Sequence, residues 1–176
     1  MYILGIHTGH DAGACLFENH TLLAFCKEER LNRVKNDGGF FDLQSVDEVL
    51  RIAGINRKQV DAVAFTRMKF PVSCFKTAAL PLRDVRRKVL GQKRERSLAS
   101  LMIKQKNLDA TAFLDFDKLR SYMGLRSDVA LHFSNHHKAH VLSSLRYCDW
   151  TDDVLLVSCD GGGDAAEYSA YLFSNQ

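Results

Sequence analysis

No Cys-x-x-Cys pair occurs among the five cysteines of this 176-residue chain, at positions 15, 26, 74, 148 and 159. An odd number without ligand spacing implies neither a disulfide framework nor a zinc ribbon, and reduced thiols in a cytoplasm are expected. Long apolar runs are missing as well. The opening Met1-Tyr2-Ile3-Leu4-Gly5-Ile6-His7 has no basic leader and is too short for a signal or an anchor, so the fold is expected to begin at once, without a membrane. A strong charge of one sign is also lacking: the net charge is +3, which permits phosphate-bearing ligands without arguing for nucleic acid. What is present, 46% apolar and 26% charged residues, fits a soluble globular protein. The length suits one domain with a real core, or one lobe and a piece of another.

The densest chemistry lies in His136-His137-Lys138-Ala139-His140, followed by the apolar run Val154-Leu155-Leu156-Val157 and then Asp160-Gly161-Gly162-Gly163-Asp164. A helix over 136–147 would set His136 and His140 on one face, where two imidazoles can grip one metal ion. Asp160, at the carboxyl end of a buried strand, could add a carboxylate. Two histidines and one carboxylate suit iron(II), zinc or manganese better than magnesium or calcium, which prefer all-oxygen shells. The plainer alternative stays open: polar residues opening a helix, and an ordinary half-buried histidine.

In chain order, Tyr2 to Ile6 reads as a buried strand, and Thr8-Gly9-His10-Asp11 as a turn. Strands over 12–18 and 21–27 flank the hairpin residues Glu18-Asn19-His20, giving an antiparallel meander. The charged segment Glu28-Glu29-Arg30, Arg33 and Lys35 reads as a solvated loop or helix start. Ser45, with Glu48 in the capping-box position, opens an amphipathic helix carrying Val46, Val49, Leu50, Ile52 and Ala53, which Gly54 closes. Asp61 to Thr66 is a fourth strand, and meander, helix, strand begins a ribonuclease-H-like α/β unit. Residues 67–128 read as a helical insertion with segments at 98–104 and 116–123. Its basic cluster, Arg83, Arg86, Arg87, Lys88, Lys93, Arg94 and Arg96, has no aromatic residue between 83 and 97, which favours a solvated helix over an RNA surface. Val129 to Phe133 and Val154 to Cys159 are further strands.

The chain also repeats a plan. Ile3 to Phe17, and Leu155 to Asp164 continued by Tyr168 to Phe173, each read as buried strand, turn of glycine and acid, second strand. Such duplication marks a two-lobed fold with ligand between the lobes. The first lobe is expected over 1–150 and a truncated second lobe over 151–176, so the chain is expected to be an N-terminal portion of a longer protein.

Gly9-His10-Asp11-Ala12, Glu28-Glu29-Arg30, His136-His137-x-x-His140 and Val157-Ser158-Cys159-Asp160-Gly161, in that order, resemble the carbamoyltransferases of the NodU/CmcH type. The resemblance covers 1–66 and 129–173 and is poor between. It implies a Kae1-like domain of the actin and sugar-kinase superfamily, joined to a YrdC-like domain further along the chain. It implies carbamoyl adenylate made from ATP and carbamoyl phosphate, with the carbamoyl group passed to a hydroxyl of a small molecule. It also implies a metal, described as iron and here Fe(II), held by His136, His140 and Asp160, with a further acidic ligand from downstream sequence.

A hydroxyl needs a base and a polarised carbonyl partner. His10 is the candidate base, with Asp11 as its orienter or a substrate contact; a merely turn-shaping pair is the alternative. Gly161, Gly162 and Gly163 would let backbone amides approach nucleotide phosphates. His137 would support its neighbours, and Glu29, Arg30, Arg33 and Lys35 would touch substrate or close the cleft. Two other readings stand beside this one: a phosphotransferase of the same superfamily, and a non-catalytic lobe that binds a partner or RNA.

Overall fold

The computed structural model describes residues 1–39, 43–145, 148–149, 152–164 and 166–174. Strand β1 (Tyr2–His7) pairs antiparallel with β2 (Gly13–Glu18), and β2 with β3 (Thr21–Lys27), so the meander forms as read. Asn19 makes the β2–β3 turn at φ 54°, in the left-handed region that asparagine tolerates.

Helix α1 (Glu28–Asn32) follows directly, and α2 (Gln44–Ala53) packs across β2 and β3 with Val46, Val49 and Leu50 buried. Gly54 ends α2 at φ 68°. The start of α2 differs from the sequence reading. Ser45 lies inside the helix rather than at its cap, and the carboxylate of Glu28 does the capping, accepting the backbone N–H of Gln44 (2.9 Å) and of Ser45 (3.0 Å). A full negative charge at the positive end of a helix outcompetes a neutral hydroxyl. Glu28 is accordingly buried rather than part of a solvated run, and Glu48 pairs instead with Arg51 at 2.8 Å. Ile52 points outward.

Strand β4 (Ala62–Phe65) lies parallel to β1, and Asp61 just before it accepts the Tyr2 N–H at 2.8 Å, which fixes the entry register. The segment expected to be helical carries helices α3 (Leu82–Val89), α4 (Leu98–Gln105) and α5 (Phe116–Tyr122), and in addition a short antiparallel ladder of β5 (Lys69–Pro71) with β6 (Glu95–Ser97). It joins the main core: Phe70 meets Phe65 edge-on at 5.1 Å, and Phe75, Phe113, Leu114 and Leu119 belong to the same cluster. The basic cluster is only partly solvated. Asp84 is 3% exposed and draws Arg87 and Arg96 to 3.2 and 3.4 Å, because a buried carboxylate needs counter-charge.

Strand β7 (Ala130–Phe133) runs parallel to β4, completing the sheet order β3-β2-β1-β4-β7. It leads into α6 (His136–Leu145); the expected continuation to 147 and the lobe boundary at 150/151 lie outside the described residues. Strands β8 (Val154–Gly163) and β9 (Ala166–Phe173) form a separate antiparallel pair. Strand β8 outruns its expected end at Cys159. The glycines carry it onward through a register shift between Cys159 and Gly163, and Asp164, at φ 49°, is where the chain leaves the strand. The apolar run is buried on one face only: Leu156 and Ser158 turn inward, whereas Leu155 and Val157 are each 65% exposed. Helix α6 packs on the pair of strands.

Candidate metal centre

The carboxyl ends of β1, β4 and β7 lead into the Thr8–Asp11 turn, Thr66-Arg67 and Asn135-His136. One long-range hydrogen bond and one local cap set the start of α6. The Asp164 carboxylate accepts the His136 N–H (2.8 Å) on one oxygen and the Met68 N–H (3.2 Å) on the other. Asn135 accepts the His137 N–H at 2.9 Å, a side-chain cap from within the chain. Asp164 thereby clips β8–β9 to both α6 and the segment after β4.

On this platform the Nε2 of His136 lies 2.6 Å from Oδ2 of Asp160, and the Nε2 of His140 lies 3.2 Å from that of His136 and 3.5 Å from the same Asp160 oxygen. Ligands about 2.1 Å from one cation stand roughly 3.0–3.4 Å apart in octahedral or tetrahedral shells. The two separations that involve His140 lie in or near that range, while His136 and Asp160 are drawn closer by a direct hydrogen bond, so the three atoms converge on one point and the donor set fits a borderline transition metal. His136 is 5% exposed, while the His140 side chain is 55% exposed, so the cluster is buried on the fold side and open on the other. The Asp160 carboxyl is depressed to about 2, first by the His136 hydrogen bond, then by the Gly161 N–H and the two imidazoles. It is an anion at neutral pH.

His137 is wholly buried, its ring edge-on to that of His136 at 5.6 Å. Its Nε2–H donates to the Ala166 carbonyl at 2.9 Å, which leaves Nδ1 to accept from the Ser158 hydroxyl at 3.1 Å. One imidazole thus pins α6 to both β8 and β9.

Gly163 is packed against this helix: a Cβ there would lie 2.6 Å from Cγ of His136. Gly161 and Gly162 have open space instead.

His10 and Asp11 form a separate pair. Asp11, at φ 60°, places Oδ2 3.1 Å from Nδ1 of the exposed His10 and Oδ1 3.0 Å from Lys27 Nζ. Lys27 continues to Glu29 at 3.5 Å, which also takes the Asn36 N–H at 3.1 Å and has Arg30 within 3.8 Å. Lys27 holds the Asp11 carboxyl below its usual range, with His10 adding to the effect. Arg33 ends α1 in the left-handed region and Lys35 lies exposed beyond it; among the described residues neither contacts the histidine cluster.

His7 was missed by the sequence reading. Its ring lies 5.7 Å from that of His136 and its Nδ1 3.0 Å from the Thr66 hydroxyl, and burial, followed by the charges of His136 and Arg67, lowers it to about 4. Its only signal in sequence was its place between a strand read as ending at Ile6 and the glycine turn that begins at Thr8.

Comparison with known proteins agrees with the family resemblance. Nodulation protein NolNO of Sinorhizobium fredii (strain NBRC 101917 / NGR234) is 28% identical over 158 residues, covering 89% of this chain. The chain spans 20% of that relative's length. Among solved structures, YeaZ from Pseudomonas aeruginosa aligns over 98% of this chain and 66% of its own at 13% identity, with a TM-score of 0.36. That superposition is too loose to bear on the fold. A model of the carbamoyltransferase N-terminus matches residues 2–176, and the chain belongs to that family.

Proposed function

We propose that this chain is the acceptor-side portion of an O-carbamoyltransferase that uses ATP and carbamoyl phosphate and transfers the carbamoyl group, by way of carbamoyl adenylate, to a hydroxyl of a small molecule. The observation that carries the reading is the convergence of His136, His140 and Asp160 in a chain of this family. The main sheet supports it, since an antiparallel β3-β2-β1 meander continued by parallel β4 and β7 is the order of a ribonuclease-H-like lobe. Strands β8 and β9 then begin the second lobe.

Within this reading His136, His140 and Asp160 hold a divalent metal, Fe(II) in kind, which supplies Lewis-acid polarisation and contacts to phosphate oxygens when bound. The remaining work falls to the chain. Asp11 accepts from Nδ1–H of His10, which fixes the tautomer with the lone pair on Nε2, the atom that takes the proton of the acceptor hydroxyl. Lys27 keeps Asp11 charged for that task. Gly161 and Gly162 leave backbone open to nucleotide phosphates, and Glu29, Arg30, Arg33 and Lys35 border the cleft. The opposing wall and a YrdC-like domain come from the remainder of a longer protein. Its setting is the cytoplasm, in keeping with five unpaired cysteines; no described helix is long and apolar enough to cross a membrane.

The test is the nucleotide product of the full-length protein. Carbamoyl-phosphate-dependent conversion of ATP to AMP and pyrophosphate is expected. Turnover to ADP alone rejects the reading in favour of a phosphotransferase.

A further inference from the structure

Helix α3 is turned inside out. Its acid, Asp84, is buried with Arg87 and Arg96 drawn to it, Lys88 reaches to the Phe75 carbonyl and the Thr77 hydroxyl, and Val85 packs on the core. The larger aliphatic residues face the other way: Leu82 is 89% exposed and Val89 79%, and Leu90 at the helix end is exposed as well. Leu82, Arg86 and Val89 follow one another at spacings of four and three and share one face, with exposed Arg83 at its edge. A surface helix ordinarily does the reverse, and aliphatic side chains grouped in water mark a contact.

The charge around this face has one sign. Residues 76–108 hold ten lysines and arginines against only Asp84 and Glu95, a net +8 in a chain whose total is +3, so the rest of the molecule carries −5. Both acids are withdrawn from the surface, Asp84 beneath α3 and Glu95 mostly buried. Lys76, Arg83, Arg86, Arg94, Lys104 and Lys106 are exposed. The end of α4 is tied to the approach to α3, Gln105 Nε2 donating to the Ala79 carbonyl at 3.4 Å, and it too exposes an aliphatic residue, Ile103, with Leu108 just beyond.

We propose that α3 and its flanks are a docking surface for an anionic lipid membrane, with the helix lying in the headgroup plane, Leu82, Val89 and Leu90 entering the acyl boundary, and Arg83, Arg86 and Arg94 meeting the negative headgroups. Interfacial helices combine these two features, apolar residues directed away from the protein and cations around them. Nucleic acid fits less well: protruding aliphatic residues have no partner on a phosphodiester backbone, and no aromatic residue between 83 and 97 offers a stacking platform. A folded protein partner would need a groove shaped to side chains that stand this far out, whereas a bilayer yields to them. A few aliphatic residues and a handful of cations give weak, reversible binding, so the contact is peripheral, and no described helix is long and apolar enough to cross. This role is separate from carbamoyl transfer and holds or fails independently of it.

The test is co-sedimentation of this chain, and of the full-length protein in parallel, with vesicles of phosphatidylcholine alone and of phosphatidylcholine containing about 30% phosphatidylglycerol. Binding to the anionic vesicles only is expected, weakened by added salt, and weakened about tenfold or more both by Arg83→Glu with Arg86→Glu and by Leu82→Ser with Val89→Ser. These positions are exposed, so the fold survives the changes. Leu155→Ser with Val157→Ser, on the exposed face of β8, should bind as the parent does. No binding, equal binding to both vesicles, loss only in the β8 variant, or full binding without Leu82 and Val89 overturns the proposal, the last because bare charge would then suffice. Binding by this chain that the full-length protein does not share also overturns it, since the remainder would then cover α3. So does tighter binding to polyuridylate or polyglutamate than to vesicles, which would assign the surface to RNA or to an acidic protein.

Discussion

The ring of His136 occupies the place where a side chain on Gly163 would stand, with Cγ 2.6 Å from that position and its own Cβ 3.0 Å away. The contact joins the glycine end of β8 to the first residue of α6. Gly163 therefore acts by letting the imidazole approach the strand closely, at the distance that brings Nε2 to Asp160.

Gly163→Ala is expected to push the His136 ring off this position. Affinity for a divalent metal should fall by about 10- to 100-fold, the scale seen when groups behind a ligand are altered. Metal titration of the folded variant measures this, and undiminished affinity would mean that the close approach has no role in the cluster.

The carboxylate of Glu28 is the cap of α2, and it is buried. Glu28→Ala leaves two backbone N–H groups without their acceptor, so unfolding free energy should fall by about 2–4 kcal/mol. Urea denaturation gives the value directly. A loss below about 0.5 kcal/mol, typical of a surface change, would show that water replaces the carboxylate.

Cys74 is 1% exposed, and burial pushes its thiol from 9.0 up to about 11. The folded state thus keeps the proton that the unfolded chain begins to release near pH 9. Its stabilising contribution is complete below that pH and disappears as pH rises through about 11, a loss of about 2–3 kcal/mol. Stability measured across this range should fall less in Cys74→Ala. At pH 8 iodoacetamide should modify the exposed Cys159 and spare Cys74 in the folded protein; alkylation of both at equal rates would contradict the burial.

Local pattern carried the meander, the α2 face and the four-residue spacing of His136 and His140, because each is written in residues a few positions apart. The features that failed to show are pairings across distance. Glu28 caps a helix that begins 16 residues later, and Asp164 caps one that begins 28 residues earlier. No sequence window holds both partners, so Ser45 looked like the better cap. Strand β8 was read as ending at Cys159 because glycines usually punctuate strands; here they continue one through a bulge. The exposure of Leu155 and Val157 was equally hidden, since an unbroken apolar run does not say which face is covered. His7 escaped notice because its neighbours, His136 and Thr66, come from other strands' ends.

The central claim is that His136, His140 and Asp160 form a metal centre, and elemental analysis of protein purified without chelator tests it most directly. The parent should carry about one equivalent of iron or zinc, lost in His140→Ala and Asp160→Asn while circular dichroism stays unchanged. The ligand side chains are open enough for those substitutions to leave the core intact. Metal retained in both variants, or none in this chain and in the full-length protein alike, would contradict the account and return the histidines to a purely structural role.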